Sequence, residues 1–399
     1  MHLTYLSLTN FRNFIRLETD IPTGSLLLVG ANAQGKTSLL EAIHYLTGTG
    51  SPHTPSDRQL INFLALQEPT PFARIVAEVR RQDRLHRIEI RLILDSGGKV
   101  GEQRLRKEIL VNGIKRRVRD LTGVFNAVIF LPQDMNVIEG SPSQRRRLLN
   151  SVISQADPTY AEALSEYRKI LTQRNALLKQ LQERSTDSDE LSFWDDQLCD
   201  HAAVIIRARA LALNELENLA GPIHQELTRG LESLRLDYTP AYDPASHPQG
   251  QLGTPMESRV IGLEVARKGM LATLQLTRDE EIARGMTLTG PHRDDFHFRV
   301  NGIDLHGYGS RGQNRTAILS VKLSEVDWLL QRTDEHPVLL MDEVMAELDP
   351  ERRQDLLTKV NAAQQTILTA ADLMMFSEEF SRGATVWQVV SGTITPLLP

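Results

Sequence analysis

Cysteine is almost absent from the chain: Cys199 stands alone among 399 residues. A single cysteine makes neither an internal disulfide nor a multi-cysteine zinc site, so a buried core has to hold the fold. Long apolar runs are missing as well. SLLLVG and VLLM fall far short of the roughly 18 apolar residues a membrane helix needs. The opening residues MHLTYLSLTNFRNF carry no basic segment leading into an apolar stretch, as a secretion signal would. These absences point to a protein of the reducing cytoplasm. Disordered and collagen-like classes are excluded by 41% hydrophobic and 24% charged residues, and 399 residues suffice for two or three domains.

A net charge of -6 would disfavour nucleic acid if it were evenly spread. It is not. Residues 74–119 hold 14 Lys or Arg against 6 Asp or Glu, a local charge of +8 that leaves -14 on the remainder. Such a window focuses a positive field that the total conceals, although basic strands also serve as plain solvated faces.

Within the first 30 residues LTYLSL and SLLLVG read as strands, with Pro22 and Gly24 between them. A glycine-bearing loop follows, and Leu39, Leu40, Ile43 and Leu46 then take helical spacing up to Gly48. Residues 72–94 and 105–111 alternate as antiparallel strands, with SGGK as a turn. From Asp157, a good N-cap followed by Pro158, the residues Tyr160, Leu164, Tyr167, Leu171, Leu178 and Leu181 predict a long amphipathic helix. The linker ERSTDSDE leads to a second helix over Phe193–Leu219, and a third is expected over Ser258–Arg284. Between them TPAYDPASHPQGQLGTP reads as an exposed loop. VLLM and QTIL later return as buried strands.

Gly30, Ala31, Asn32, Ala33, Gln34, Gly35, Lys36 and Thr37 match G-x-x-x-x-G-K-[ST], after a strand and opening a helix. That context is what a phosphate loop requires. Backbone N–H groups, Ser38 among them, cradle the α- and β-phosphates of ATP, Lys36 reaches the β- and γ-phosphates, and the Thr37 hydroxyl ligates Mg²⁺. VLLM runs into Asp342 and Glu343, a buried strand delivering two acids at its C-terminal end. Asp342 would hold the metal and Glu343 would act as the general base toward water.

Ser310, Gly312 and Gln313 precede a helix with Ile318, Leu319, Val321, Leu323 and Val326, which leads into that acidic strand. This order resembles the signature motif of the ATP-binding-cassette superfamily, in which the Ser hydroxyl and Gly N–H groups bind the γ-phosphate held by another subunit. Asp349, in Glu347-Leu348-Asp349, resembles the D-loop at the dimer seam. Gln133, 97 residues beyond Lys36, stands where a Q-loop glutamine could sense Mg²⁺ and γ-phosphate, and serves equally as a plain loop residue. The superfamily's switch histidine is replaced by Thr369-Ala370-Ala371-Asp372.

LTNFRNF, GSPSQRRRLLN, QRNALLK, TLTGPHRDDF, YGSRGQNRTAILSVKLSE and MDEVMAELDPERR together resemble the RecF family, nearly end to end. That family belongs to the ATP-binding-cassette group that includes the SMC proteins. Ala33 stands where it often has Gly, Gln133 where it often has an acid, and Glu343 where Asp is commoner. The resemblance implies an α/β ATP-binding-cassette head, a P-loop NTPase, with an inserted all-helical second lobe. The head would span 1–149 and 287–399, and the lobe 150–286. Also implied are DNA binding, an ATP-dependent homodimer, weak hydrolysis used as a switch, and action with RecO and RecR in recombinase loading at single-strand gaps and SOS induction.

Arg104, Arg106, Lys107, Lys115, Arg116, Arg117, Arg119, Arg145, Arg146 and Arg147 are the candidate phosphate-neutralising surface, or else a solvated face. His292, Arg293 and Asp294 read as a structural strand start rather than a catalytic group. Two other functions share the ATP motifs: the nucleotide-binding subunit of a membrane transporter, and a non-hydrolysing DNA-binding scaffold. The long Lys36–Gln133 spacing, the insertion and the basic window stand against the transporter.

Overall fold

The computed structural model describes residues 1–96, 103–183, 190–242, 261–347, 353, 356–357, 360 and 363–397. Asp349, Gly97 to Lys99 of the SGGK turn, residues 184–189 of the linker and the Pro/Gly-rich stretch from Asp243 onward lie outside them. The chain divides into two units, Met1–Asp134 with Glu325–Pro399, and Met135–Ser324. The division falls before and after the 150–286 boundaries read from sequence, and it places the Ser310–Gln313 segment in the second unit.

In chain order, β1 (His2–Phe11) and β2 (Phe14–Asp20) form a hairpin, and β3 (Gly24–Val29) leads through the phosphate loop into α1 (Lys36–Tyr45). Four antiparallel strands follow, β4 (Phe72–Arg81), β5 (Arg84–Ser96), β6 (Gln103–Val111) and β7 (Ile114–Arg116), and then β8 (Ala127–Phe130). The second unit opens on α2 (Met135–Glu139), α3 (Pro142–Ala156), α4 (Pro158–Glu183) and α5 (Glu190–Leu227). It continues with β9 (Leu234–Thr239), α6 (Leu263–Arg284), β10 (Asp295–Val300), β11 (Ile303–Asp304), α7 (Leu305–Tyr308) and the start of α8 (Arg311–Thr333). The chain then returns to the first unit for β12 (Val338–Asp342), β13 (Gln365–Ala370), β14 (Thr385–Val390) and β15 (Thr393–Pro396).

Two six-stranded sheets build the first unit, ordered β2-β1-β4-β5-β6-β7 and β15-β14-β3-β13-β12-β8. The former is antiparallel throughout. Its strands alternate: Ala73, Ile75, Ala77 and Val79 of β4 are buried, while Arg74, Glu78 and Arg80 take the other face. In the latter, β14, β3, β13, β12 and β8 run parallel and only the edge strand β15 is reversed. Every residue of β12 and β13 is buried without alternation, as in a parallel sheet covered on both faces, and β13 buries Gln365, Thr366 and Thr369 beside its apolar residues. One core joins Leu6, Leu8, Leu26, Leu39, Ile43, Leu340 and Ile367 across both sheets and α1. At roughly 1.5–3 kcal/mol for each buried aliphatic side chain, that core fixes the frame on which the loop rests.

The sequence predicted two strands before residue 30 and the structure has three. β2 is an edge strand that buries only Phe14 and Leu17 and exposes Ile15, so its alternation is faint. In the second unit Asp157 accepts hydrogen bonds from the Thr159 and Tyr160 N–H groups (2.8 and 3.1 Å), the expected cap of α4. The seam of α4 is not purely apolar. Leu164 and Leu171 are only half-buried, whereas Arg174 is fully buried on Asp195 (2.8 Å) and Glu281 (2.6 Å). α5 extends beyond Leu219, through Pro222, because Ile223 and His224 bury the turn beyond it. The third helix starts at Leu263, after Gly262. The insertion is also not wholly helical: β9 pairs with β10, and β11 completes a three-stranded sheet. Pairing at such sequence separation leaves no local period to read. No helix among the described residues is long and apolar enough to cross a membrane.

Candidate nucleotide site

The carboxyl ends of the parallel strands converge on one edge, where α/β sheets place their ligands. β3 supplies the loop. A Cβ on Gly30 would run into the Val389 carbonyl oxygen, so only glycine lets the chain leave the strand beneath β14. Gly35 has φ 120° and Ala33 φ 64°, and the crest between them is pinned from outside. The Gln34 carbonyl accepts from Asn13 Nδ2 and Gly392 N (both 3.0 Å), and its side-chain oxygen accepts from Ser391 N (2.7 Å). The loop is therefore held in shape by the protein itself.

Lys36, the first residue of α1, is only 3% exposed. Its ammonium donates to the Gly30 and Ala31 carbonyls (2.6 and 3.0 Å) and lies 3.1 Å from Glu343 Oε1, three acceptors for three N–H donors. Next along, the Thr37 hydroxyl contacts both Asp342 carboxylate oxygens (3.0 and 2.8 Å). Asp342 also accepts from the Thr369 hydroxyl (2.8 Å), which in turn accepts from the Glu343 N–H (2.9 Å). The parallel pairing of Asp342 with Thr369 sets that register. Thr369 opens the segment where the superfamily's switch histidine was expected, and here it steers the acid instead. Glu343 sits at φ 51°, turning its carboxylate onto Lys36.

A cavity of about 610 Å³ opens over the loop, lined among others by Arg12, Asn32, Lys36, Thr37, Phe63 and Glu343. Arg12 and Phe63 were not singled out from sequence. Arg12 occupies the β1–β2 turn at φ 52°, its guanidinium paired twice with buried Glu41 (2.7 and 2.8 Å) and donating to Gln59 O (3.0 Å). The only sequence signal was the FRNF turn itself. Phe63, 73% exposed, presents an aromatic ring at the cavity wall.

Gln133 lies in the turn that follows β8, with Nε2 3.1 Å from His53 Nδ1. Ser310 caps α8: its hydroxyl accepts the Gln313 N–H (3.2 Å), and its N–H donates to Gln313 Oε1 (3.1 Å). Ser310 is exposed and Gly312 half-buried.

Two members of the basic set are withdrawn from it by the structure. Arg145 is 3% exposed, paired twice with Asp295 (2.7 and 2.8 Å) and donating to the Val137, Ile138 and Gly140 carbonyls. Lys107 is turned inward over the Tyr45 ring (4.2 Å) toward Asp57 (3.6 Å); burial pulls its pKa below the usual lysine value against the pull of Asp57. Arg106 and Lys115 are exposed but share Glu108. Arg146 is half-buried and donates to the Asp294 carbonyl (2.7 Å), and Arg119 lies 3.9 Å from Asp120. Arg104, Arg116, Arg117 and Arg147 are exposed. Asp294 is buried, accepting from Arg209 (2.9 Å), the Ala241 N–H (2.8 Å) and the Tyr238 hydroxyl. With Tyr167 on His292 Nδ1 (2.6 Å), the GPHRDDF segment is a structural hub.

The model for the RecF/RecN/SMC N-terminal domain matches residues 2–395. The chain is 39% identical to the DNA replication and repair protein RecF of Chloroflexus aurantiacus, covering 99% of both chains. To the protein of that name from Bacillus subtilis it is 37% identical over 99% of this chain and 100% of the other. The solved structure of the recombination mediator protein RecF-ATPrS in the RecFOR pathway superposes with a TM-score of 0.84 at 31% identity, covering 100% and 98% of the two chains. An Smc head bound to the C-winged helix domain of ScpA is similar in fold alone, at TM-score 0.51 and 15% identity over 100% and 97% of the chains.

Proposed function

This chain belongs to the RecF family of DNA replication and repair proteins, within the wider RecF/RecN/SMC family, and on that premise we propose that it is an ATP-dependent DNA-binding switch of recombinational repair. The observation that carries the proposal is the convergence of Lys36, Thr37, Asp342 and Glu343 at one strand edge. The preformed loop presents N–H groups and the α1 N-terminus to the α- and β-phosphates of ATP. Lys36 exchanges its carbonyl partners for β- and γ-phosphate oxygens. Thr37 and Asp342 are two hard oxygen donors already side by side, a set that suits Mg²⁺, which takes few protein ligands beside phosphate and water. Bound there, the ion would neutralise phosphate charge. Glu343 accepts the proton of the attacking water. The Phe63 face supplies a platform for the base, and Gln133 the link to the phosphate end.

In this proposal Ser310, Gly312 and Asp349 act in the opposite active site, so that ATP closes two chains over DNA at single-strand gaps. RecO and RecR then promote recombinase loading and SOS induction. Arg104, Arg106, Lys115, Arg116, Arg117 and Arg119 of the first unit, and separately Arg146 and Arg147 of the second, remain the candidate DNA contacts. Full-length likeness to RecF proteins favours this over a transporter subunit. Single-turnover ATP hydrolysis with and without gapped DNA, paired with sedimentation in ATP and without nucleotide, tests it. ATP-dependent dimers and slow DNA-stimulated hydrolysis are expected. A chain that stays monomeric with ATP would overturn the clamp, and dimers without hydrolysis would leave the non-hydrolysing scaffold.

A further inference from the structure

Gln313 does more than complete a helix cap. Its Oε1 accepts the Ser310 N–H, while its Nε2 donates to Glu232 Oε1 (2.9 Å), two residues before β9. The second Glu232 oxygen lies 3.2 Å from His224 Nε2, and His224 is fully buried near the end of α5. His224 Nδ1 faces the Ser320 hydroxyl oxygen at 3.2 Å, and that hydroxyl gives its own proton to the Thr316 carbonyl (2.7 Å). The His224 ring is thus held between the Glu232 carboxylate and the Ser320 hydroxyl, with Nε2–H donating to Glu232. The buried His224 ring anchors Glu232, Glu232 anchors the Gln313 amide, and Gln313 fixes the Ser310 backbone and hydroxyl.

We propose that Glu232 is the positioning residue that presents the Ser310 hydroxyl, with Gln313 as the intermediary, to the γ-phosphate bound by a second copy of this chain. This deepens the dimer reading above and rests on it. Because the Ser310 oxygen accepts the Gln313 N–H, its proton is left to donate outward. The Gln313 side chain is spent inward on Glu232 and Ser310, and so acts through Ser310 instead of touching nucleotide. Removing the carboxylate lets the Gln313 amide rotate, and the exposed serine loses its fixed direction.

The test uses the full chain. Glu232→Ala is expected to lower turnover and ATP-dependent dimerisation about tenfold while changing ATP affinity of the isolated subunit less than about twofold. Glu232→Gln keeps an acceptor for Gln313 and should recover most of the loss. Mixing Glu232→Ala with Lys36→Ala subunits should restore activity, since each mixed dimer keeps one site with an intact loop and an intact Ser310 face. A purely structural defect would not be rescued by a partner. Gln313→Leu removes the same bond from its other end, so its loss and that of Glu232→Ala should coincide in the double variant instead of multiplying. If Glu232→Ala fails to fold, Gln313→Leu carries the mixing test alone. Undiminished turnover, multiplying losses or no rescue on mixing would overturn the proposal. Ser310→Arg is the control: if it leaves dimerisation and turnover intact, the dimer reading falls and this inference with it, whereas a block by Ser310→Arg beside an unaffected Glu232→Ala sinks this inference only.

Discussion

Lys36 spends its three donors on two loop carbonyls and Glu343, all of which are peptide or half-exposed groups able to find water when the ammonium is gone. Lys36→Ala should therefore weaken ATP binding by about 3 kcal/mol, roughly a hundredfold, with little change in melting temperature. Isothermal titration of the folded variant measures this, and retained tight binding would remove Lys36 from the site. Glu343→Gln keeps the volume and loses the base, so nucleotide-dependent dimers should persist while hydrolysis stops. Undiminished turnover would place the base elsewhere. Ala33 bears left-handed backbone at φ 64°, which costs a non-glycine residue about 1–2 kcal/mol. Ala33→Gly should raise stability by up to about 1 kcal/mol without changing nucleotide affinity. A lower melting temperature for that variant would show the strain to be relieved by packing.

At the scale of elements, α3 is tied to β10 through Arg145 and Asp295. Burial works to raise the Asp295 pKa, but two hydrogen bonds and the charge of Arg145 outweigh it and hold the group below its ordinary value. A depressed carboxylate stabilises the fold fully above its unfolded pKa, near 3.9 for Asp, and that contribution is lost as pH falls through the lowered value. Arg145→Ala should thus cost about 3–5 kcal/mol at neutral pH, a penalty that shrinks in strong acid, and leave the salt dependence of DNA binding unchanged. A reduced salt slope without loss of stability would return Arg145 to the DNA surface. His292 runs the other way: burial chiefly pushes it down to about 4, so it is neutral, accepting from Tyr167 and donating to Thr287 O (3.2 Å). The unfolded chain binds the extra proton between pH 6.5 and 4, so stability falls as pH drops through that window. His292→Gln should flatten the fall of melting temperature there, and an unaltered pH profile would count against a neutral buried ring.

For the whole molecule, the basic window becomes a measurable field. Many of its charges are internally matched, as Arg74 and Arg91 are on Glu89, and Arg106 is on Asp95 and Glu108. Arg116 and Arg117 are exposed at the end of β7 and beyond it. Reversing both should lower DNA affinity across sequences alike and reduce the slope of log affinity against log salt by about 2, with ATP affinity nearly unchanged. An unaltered slope would move the DNA surface to Arg146 and Arg147.

The phosphate loop, the acidic strand and the capped helix at Ser310 were legible in sequence because each is a local chemical requirement: glycine where backbone must approach, carboxylates at a strand end, a hydroxyl before a helix. Local periodicity likewise determined the long helix α4 and the buried runs of β12 and β13. Thr369 on Asp342, Glu232 behind Gln313 and the interior fates of Arg145 and Lys107 come from groups far apart in the chain. Their partners are chosen by strand register and helix packing, which no window of neighbouring residues contains. Composition could count the arginines, but only the tertiary structure decided which face solvent and which are held by a buried carboxylate, because desolvating a guanidinium is tolerated only where the fold brings it a partner.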